Sequence, residues 1–284
     1  MNNRLKFLMI AIVAIIFVAG CKKEINWDAF PNPDIQIDKP EEKNPCELTS
    51  FDFYDSGSLT KNWVIFHDNS GLITTVADGS NVVTYSYGTN NITTIDSDDK
   101  QIDITLENGR ATKIAAVKGN YEIYTYNNEG YISNIKLYSN SILERNTDLT
   151  YDKGNLIKIE KSKFNNLLGD EREVMTIEYL SDLSDSNIRI IKPWYELVSD
   201  FFLPGNFYGK TSKNLIGKIT NIRTINSDNF AYKETDVKSY SYAKDDKGNY
   251  NSVSLVETNK NSVNGLSTGN ETYNFKYILY YRCN

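Results

Sequence analysis

Between Tyr121 and Lys163 apolar and polar positions alternate in short runs, and one pattern comes round twice. Tyr126-Asn-Asn-Glu-Gly130-Tyr-Ile132-Ser-Asn-Ile135 is one copy, and Tyr151-Asp-Lys-Gly154-Asn-Leu156-Ile-Lys-Ile159 is the next. A strand ends on tyrosine, a turn carries an Asx residue and glycine, and the next strand opens on spaced aliphatic residues. Looser copies run from Tyr87-Gly88 into Ile92 and Ile95, from Leu106 through Gly109 into Ile114, and from Tyr242 through Gly248 into Val253. Asn-Gly and Asp-Gly between β-rich runs signal hairpins, because glycine reaches the positive φ that such turns need. Turn signals stand at Asp78-Gly79, Asn108-Gly109, Glu129-Gly130, Lys153-Gly154 and Lys247-Gly248. Strands this close in sequence cannot be parallel, since a parallel crossover needs about a dozen residues. The pattern predicts an all-β domain: an antiparallel meander of repeated hairpins forming a large curved sheet or barrel-like wall.

Alternation also assigns faces. Within Leu156 to Lys161, Ile157 and Ile159 are expected on one face, with Lys158 and Glu160 on the other. Within Asn120 to Tyr126, Tyr121, Ile123 and Thr125 share one face, and Glu122, Tyr124 and Tyr126 share the other. Period-two runs with charge on one side fit a sheet that is wet on that side, where a tyrosine covers its neighbours. The rhythm breaks once. Pro193 suits the first turn of a helix, and Trp194, Leu197, Val198 and Phe201 follow at helical spacing before Pro204-Gly205 ends it. This predicts a short helical insert near 193–203. One reading makes it a cap over an open end of the sheet, burying Trp194 and Phe201. The other makes Trp194, Phe201, Phe202, Phe207 and Tyr208 an aromatic contact surface for a ligand or another protein.

The first residues read differently. Arg4 and Lys6 give a positive start, an apolar run extends to Ala19, and Val18-Ala19-Gly20-Cys21 puts small residues before a cysteine. That is an export signal, and its apolar run is short of the roughly 20 residues a membrane span needs. The quartet resembles the lipobox of bacterial lipoproteins, which implies that Cys21 becomes the acylated N-terminus. Residues 1–20 are then a signal peptide and 21–46 a lipid-tethered linker. Pro31, Pro33, Pro40 and Pro45 keep that linker extended. Residues 47–284 form a single β-meander domain. The lipid makes the membrane the first partner, since more than one acyl chain anchors a protein stably. The implied location is the cell envelope, as an outer-membrane lipoprotein facing either side.

Charge and cysteine narrow the chemistry. A net charge of -6 argues against nucleic acid, whose phosphates need a basic surface. Two cysteines remain, Cys46 and Cys283, bracketing the domain. Export places them where disulfides persist, so a bridge is expected, with two free thiols as the alternative. The single histidine, His67, reads as a strand end entering a turn. One histidine makes no His-based zinc site, no cysteine pair has metal spacing, and no nucleophile-elbow motif marks a serine. Asp96, Asp98 and Asp99, or Asp182 and Asp185, lack the glycine and closing glutamate of a calcium loop and read as solvated turns. Neither metal nor cofactor is expected.

Tyr-x-Tyr, then Asx-x-x-Gly, then Ile-x-x-Ile is similar to the tyrosine-aspartate repeats of Rhs-type proteins. The plan from lipobox through proline linker to hairpins resembles an uncharacterised family of Bacteroidota lipoproteins described as having a porin-like fold. Over residues 51–284 the resemblance includes Phe207-Tyr-Gly-Lys-Thr-Ser-Lys-Asn-Leu215, similar to a stretch common in that family. It implies a porin-like fold and brings no activity with it. Lys158, Glu160 and Lys161 interrupt the apolar band, about 25 Å tall, that a lipid-facing barrel needs, so a water-soluble wall held by lipid is expected. The expected function is non-enzymatic binding at the envelope, with a glycan as ligand because aromatic faces stack on sugar rings. The alternatives are an assembly partner docking on an outer-membrane protein through an open sheet edge, and a glycoside hydrolase using two carboxylates.

Overall fold

In a computed structural model of the chain, every strand pairs with the next, and the last pairs with the first. The structure describes residues 46–79, 81–116, 119–164, 170–183, 205–228 and 230–283. The leader, Cys21, most of the linker and the helical insert expected near 193–203 lie outside them. Sixteen strands are found among the described residues. β1 (Cys46–Asp55) and β2 (Ser58–His67) lead into short strands: β3 (Ile73–Asp78), β4 (Asn81–Tyr87), β5 (Asn91–Ile95), β6 (Gln101–Glu107), β7 (Arg110–Ala115) and β8 (Asn120–Tyr126). The strands then lengthen through β9 (Ile132–Ser139), β10 (Ile142–Asp152) and β11 (Asn155–Lys163). The longest are β12 (Asp170–Leu183), β13 (Asn214–Ser227), β14 (Phe230–Lys244), β15 (Tyr250–Val263) and β16 (Leu266–Cys283).

The meander is a closed antiparallel barrel. None of the described strands keeps an unpaired edge, so docking by strand addition finds no template. The wall is uneven. β3 to β8 have 5–7 residues each, whereas β12 to β16 have 14–18, so one side of the barrel is tall and the other low.

A single closed sheet can bury side chains only on its inside. Ile92, Ile104, Ile114, Ile132, Leu156 and Ile159 are all buried there. Outer positions carry Thr93, Asp103, Lys113 and Lys136, and ion pairs such as Arg172–Glu160 (2.6 Å) and Lys218–Glu178 (2.9 Å). Where these apolar residues line the inside and charges the outside, the arrangement is the inverse of a lipid-facing barrel's. The face of β8 expected to be wet is the inner one. Glu122 and Tyr124 are buried, because the Tyr124 hydroxyl donates to the Glu122 carboxylate and Arg145 lies 3.7 Å away. Burial pushes the Glu122 carboxyl up, against the pull of Tyr124 and Arg145.

The spaced isoleucines have a structural cause. Strict alternation puts residues three apart on opposite faces. Here the ladder skips one residue after the turn: Tyr126 pairs with Ile132 but Thr125 with Asn134, passing over Ser133. Tyr151 pairs with Leu156 and Thr150 with Lys158, passing over Ile157. Thr74, Thr112, Gly217 and Asn251 are passed over in the same way. Each slip is a β-bulge, which returns the fourth residue of the strand to the face of the first. Ile132 and Ile135 are therefore both buried, as are Leu156 and Ile159, Ala111 and Ile114, and Ile216 and Ile219. β5 has the same spacing without a bulge, and its Ile95 is 40% exposed while Ile92 is buried.

Ile157 therefore does not share a face with Ile159. It sits on the bulge and is 38% exposed. Ile157→Thr is expected to change unfolding free energy by no more than about 0.5 kcal/mol. Ile159→Thr should cost about 2 kcal/mol or more, through lost packing and a buried hydroxyl. Urea unfolding of both variants checks this, and equal losses would contradict the bulge.

Candidate functional site

The two ends of the barrel differ. One holds the turns after β2, β4, β6, β8, β10 and β14, and those after β2, β8 and β14 share one device. Asp68 Oδ1 accepts hydrogen bonds from the backbone N–H groups of Ser70 (2.8 Å) and Leu72 (3.0 Å). Asn127 does the same for Glu129 (3.1 Å) and Tyr131 (3.0 Å), and Asp245 for Lys247 and Asn249, both at 2.9 Å. Gly71, Gly130 and Gly248 supply φ of 80°, 89° and 87° at the fourth position. This is the physical content of Asx-x-x-Gly: the side chain replaces a backbone acceptor, and glycine takes the left-handed corner. At the other end Asp96 holds Asp98 and Lys100 likewise, so that acidic run is a turn. Among the described residues no group of His, Cys, Asp and Glu could hold a metal ion.

Beneath the first set of turns runs a collar of inward tyrosines. Tyr87 donates to the Ile73 carbonyl (2.7 Å), Tyr126 to Ala111 (2.8 Å), Tyr179 to Leu156 (2.8 Å) and Tyr242 to Ile216 (2.9 Å). Each clasps the start of the strand beside it. A 3₁₀ turn (Gly205–Tyr208) then drives Phe207 and Tyr208 into this end. Phe207 packs on Tyr87 and Tyr208 on Tyr124, with ring centroids 6.1 and 5.8 Å apart. The chain beyond is tied down by Lys210 N–H to Gly130 O (3.0 Å) and Lys213 N–H to Gly154 O (3.1 Å). Ser212 Oγ accepts from Leu156 N–H (3.1 Å) and bonds the Tyr179 hydroxyl (2.9 Å). The segment singled out at Phe207–Leu215 is thus a stopper. Phe207 and Tyr208 are enclosed within the barrel, not displayed to a partner, while Trp194, Phe201 and Phe202 lie outside the described residues.

His67 ends β2 at this stoppered end. It enters the Asp68 turn there, and its Nδ1 is buried without a hydrogen-bond partner among the described residues. Burial lowers its pKa, with Glu47 opposing. Cys46 and Cys283 also meet here, directly opposite each other in the β1–β16 register.

The collar has a pH signature. Burial pushes Tyr179 up to about 12, and pushes Tyr87, Tyr126, Tyr151, Tyr240 and Tyr242 up as well. A folded value above the ordinary 10.0 means the collar's contribution is complete below pH 10. It is lost as pH rises through the folded values, because the unfolded chain releases those protons first. The melting temperature should fall steeply above about pH 10, with tyrosinate absorbance appearing only as the fold is lost. Ionisation well ahead of unfolding would show that the collar is open to water.

The other end carries no such stopper among the described residues. On the tall wall, strand register lays inner side chains in rows. Asn221, Asp236, Asn259 and Glu271 stand side by side on β13 to β16. Above them come Lys238, Glu257 and Tyr273, then Leu255, Phe275 and Asp55, then Val253, Tyr277, Phe53 and Lys61. The aromatic members form a ladder: Tyr273 to Phe275 is 6.2 Å between centroids, Phe275 to Phe53 5.7 Å, and Phe53 to Tyr277 5.0 Å. Beside it Asn259 Nδ2 donates to Glu234 (3.0 Å) and to Asp236, and Tyr273 donates to Glu271. Arg223 bonds Glu171 (2.6 Å) and reaches Glu234 (3.5 Å). Deeper in, Lys161 meets Glu173 at 3.2 Å, and burial pulls its ammonium below the ordinary lysine range.

These groups point inward, yet Tyr273 is 39% exposed and the side chains of Arg223 and Lys238 are 35% and 37% exposed. Inward and exposed together mean that, among the described residues, solvent reaches the inner face of the tall wall, and this end of the barrel is a cup. The sequence carried a signal for it that went unread: Glu271, Tyr273, Phe275, Tyr277, Leu279 and Tyr281 alternate with Thr272, Asn274 and Lys276.

No family model matches the chain, and no curated protein matches it. Among solved structures it is similar to the crystal structure of a porin-like protein from Bacteroides uniformis. The TM-score is 0.56 at 15% identity, covering 82% of this chain and 98% of that one. At that identity the likeness is one of fold, and it agrees with the porin-like fold that the resemblance implied.

Proposed function

We propose that this protein is a lipid-anchored, non-enzymatic component of the cell envelope, in which Cys21 tethers a water-surrounded barrel whose open end takes up a glycan. The reading rests on the inward ladder of Tyr273, Phe275, Phe53 and Tyr277 beside a row of amides and carboxylates. A pyranose ring has an apolar face that an aromatic face covers, and hydroxyls that both donate and accept. Asn259, whose amide hydrogens are held by Glu234 and Asp236, offers its Oδ1 as an acceptor, and Asp236 and Glu271 offer theirs. A concave, partly apolar wall with a few convergent polar groups is the usual form of a small-ligand site. The stopper at the other end makes the barrel a cup and not a conduit. The charged outer surface suits attachment through lipid better than immersion in a bilayer.

Calorimetric titration of the mature protein against a panel of oligosaccharides tests the reading. Phe275→Ala is expected to weaken binding about ten-fold, the worth of one stacking contact plus its buried area. A panel on which nothing binds would remove the glycan. Sugars recovered cleaved instead of intact would move the reading to a hydrolase working with two carboxylates. Mass spectrometry of protein from membranes tests the tether, which an unacylated Cys21 would refute.

A further inference from the structure

The carboxylates at the open end outnumber the cations. Asp55, Glu234, Asp236, Glu257 and Glu271 face the cup from β1, β14, β15 and β16. Against them stand Arg223, Lys238, Lys61 and Lys161, each already engaged: Arg223 with Glu171 and Glu234, Lys238 with Glu257 at 3.6 Å, Lys61 with Asp78 at 3.2 Å and Lys161 with Glu173 at 3.2 Å. Two groups report the resulting field. The Asp236 carboxyl is pushed up by burial and then by the charges of Glu234 and Glu257. The Tyr273 hydroxyl is raised by its bond to Glu271 and by the charges of Glu271, Glu257 and Asp55. A ligand carboxylate or sulfate seated on this ladder would meet the same negative potential, and among the described residues the cations facing it are already paired with carboxylates.

An uncharged ring fares differently. It can give hydroxyl protons to the carboxylates and to the Asn259 Oδ1, whose own amide hydrogens are held by Glu234 and Asp236. Asn221 Oδ1, at the end of the same row, is buried without a hydrogen-bond partner among the described residues, an acceptor that a ligand hydroxyl would satisfy. Taking the glycan reading as its premise, we infer that the open end selects uncharged saccharides, with Tyr273 and Phe275 as the stacking platform and Asn221, Asp236, Asn259 and Glu271 as the hydroxyl-reading row.

The experiment compares maltohexaose, cellohexaose and mannohexaose with hexagalacturonate on the mature protein, at low and high salt. At least one neutral sugar should bind about ten-fold or more tighter than the uronate, with little salt dependence. Asn259→Ala should weaken that neutral sugar about ten-fold. Glu271→Lys, at an exposed position, should leave the melting temperature in place and raise uronate affinity at low salt. Uronate binding as tight as the neutral sugars would overturn the selectivity and leave the glycan reading standing. Neutral binding untouched by both Asn259→Ala and Phe275→Ala would put the site elsewhere and overturn the assignment. Binding by none of the four would end both.

Discussion

Gly209→Val is expected to unseat the stopper and lower unfolding free energy by more than about 3 kcal/mol. Gly209 has φ +74°, and a Cβ there would lie 2.5 Å from Gly130 O and 2.9 Å from the Tyr126 ring. Neither neighbour can yield cheaply. Gly130 O accepts from Lys210 N–H, and Tyr126 is held to the Ala111 carbonyl. A β-branched residue in the left-handed region already costs about 1–2 kcal/mol, and the clash adds the burial of Phe207 and Tyr208 to the loss. Gly265→Val is the control, since it also has positive φ (+81°) but nothing within 4 Å of its Cβ position. Denaturant unfolding and near-ultraviolet circular dichroism read both. If Gly209→Val lost no more than Gly265→Val, the stopper would not be packed as described.

Removing Cys46 and Cys283 together is expected to cost about 2–5 kcal/mol. The β1–β16 register sets them directly opposite each other. Facing Cα atoms of an antiparallel pair lie about 4.5–5.5 Å apart, inside the range a disulfide spans. A thiol oxidant of the envelope would accept the two electrons and two protons released as the S–S bond forms. The bridge would close a loop containing the whole barrel, for which chain entropy gives roughly 5 kcal/mol as an upper figure. A reductant should lower the melting temperature of the parent protein and leave Cys46→Ser/Cys283→Ser unchanged. Two titratable thiols in protein purified from the envelope, with no shift on reduction, would exclude the bridge.

What could be read beforehand was local. Asx-x-x-Gly turns at Asn127 and Asp245 are written in contiguous residues whose own side chains make the bonds, so the hairpins and the meander were legible. Face assignment failed where the ladder slips. Ile157 looked inward by alternation, but a bulge is a property of two paired strands, and the partner's register is not written beside Ile157. Glu122 was misplaced because a charge reads as wet, whereas here Tyr124 and Arg145 accompany it inside. Ring closure depends on β1 and β16 meeting across the length of the chain, and the two cysteines were the one hint of it. The aromatic ladder is half visible, as the alternation of β16. Its joining to Phe53 is the work of closure and could not be seen without it.

The same closure has a kinetic corollary. Fifteen of the ladders join strands adjacent in sequence and can zip as soon as each hairpin exists, whereas the ladder between β1 and β16 must wait for the last strand. Until then the first strand to emerge during synthesis shows a free row of amide and carbonyl groups, a template for strands of other molecules. Completion is a long-range search slowed by loop entropy, while everything before it is short-range and quick. Shortening β16 should therefore harm yield before it harms the stability of what has already folded, with the losses appearing as oligomers that grow with expression level.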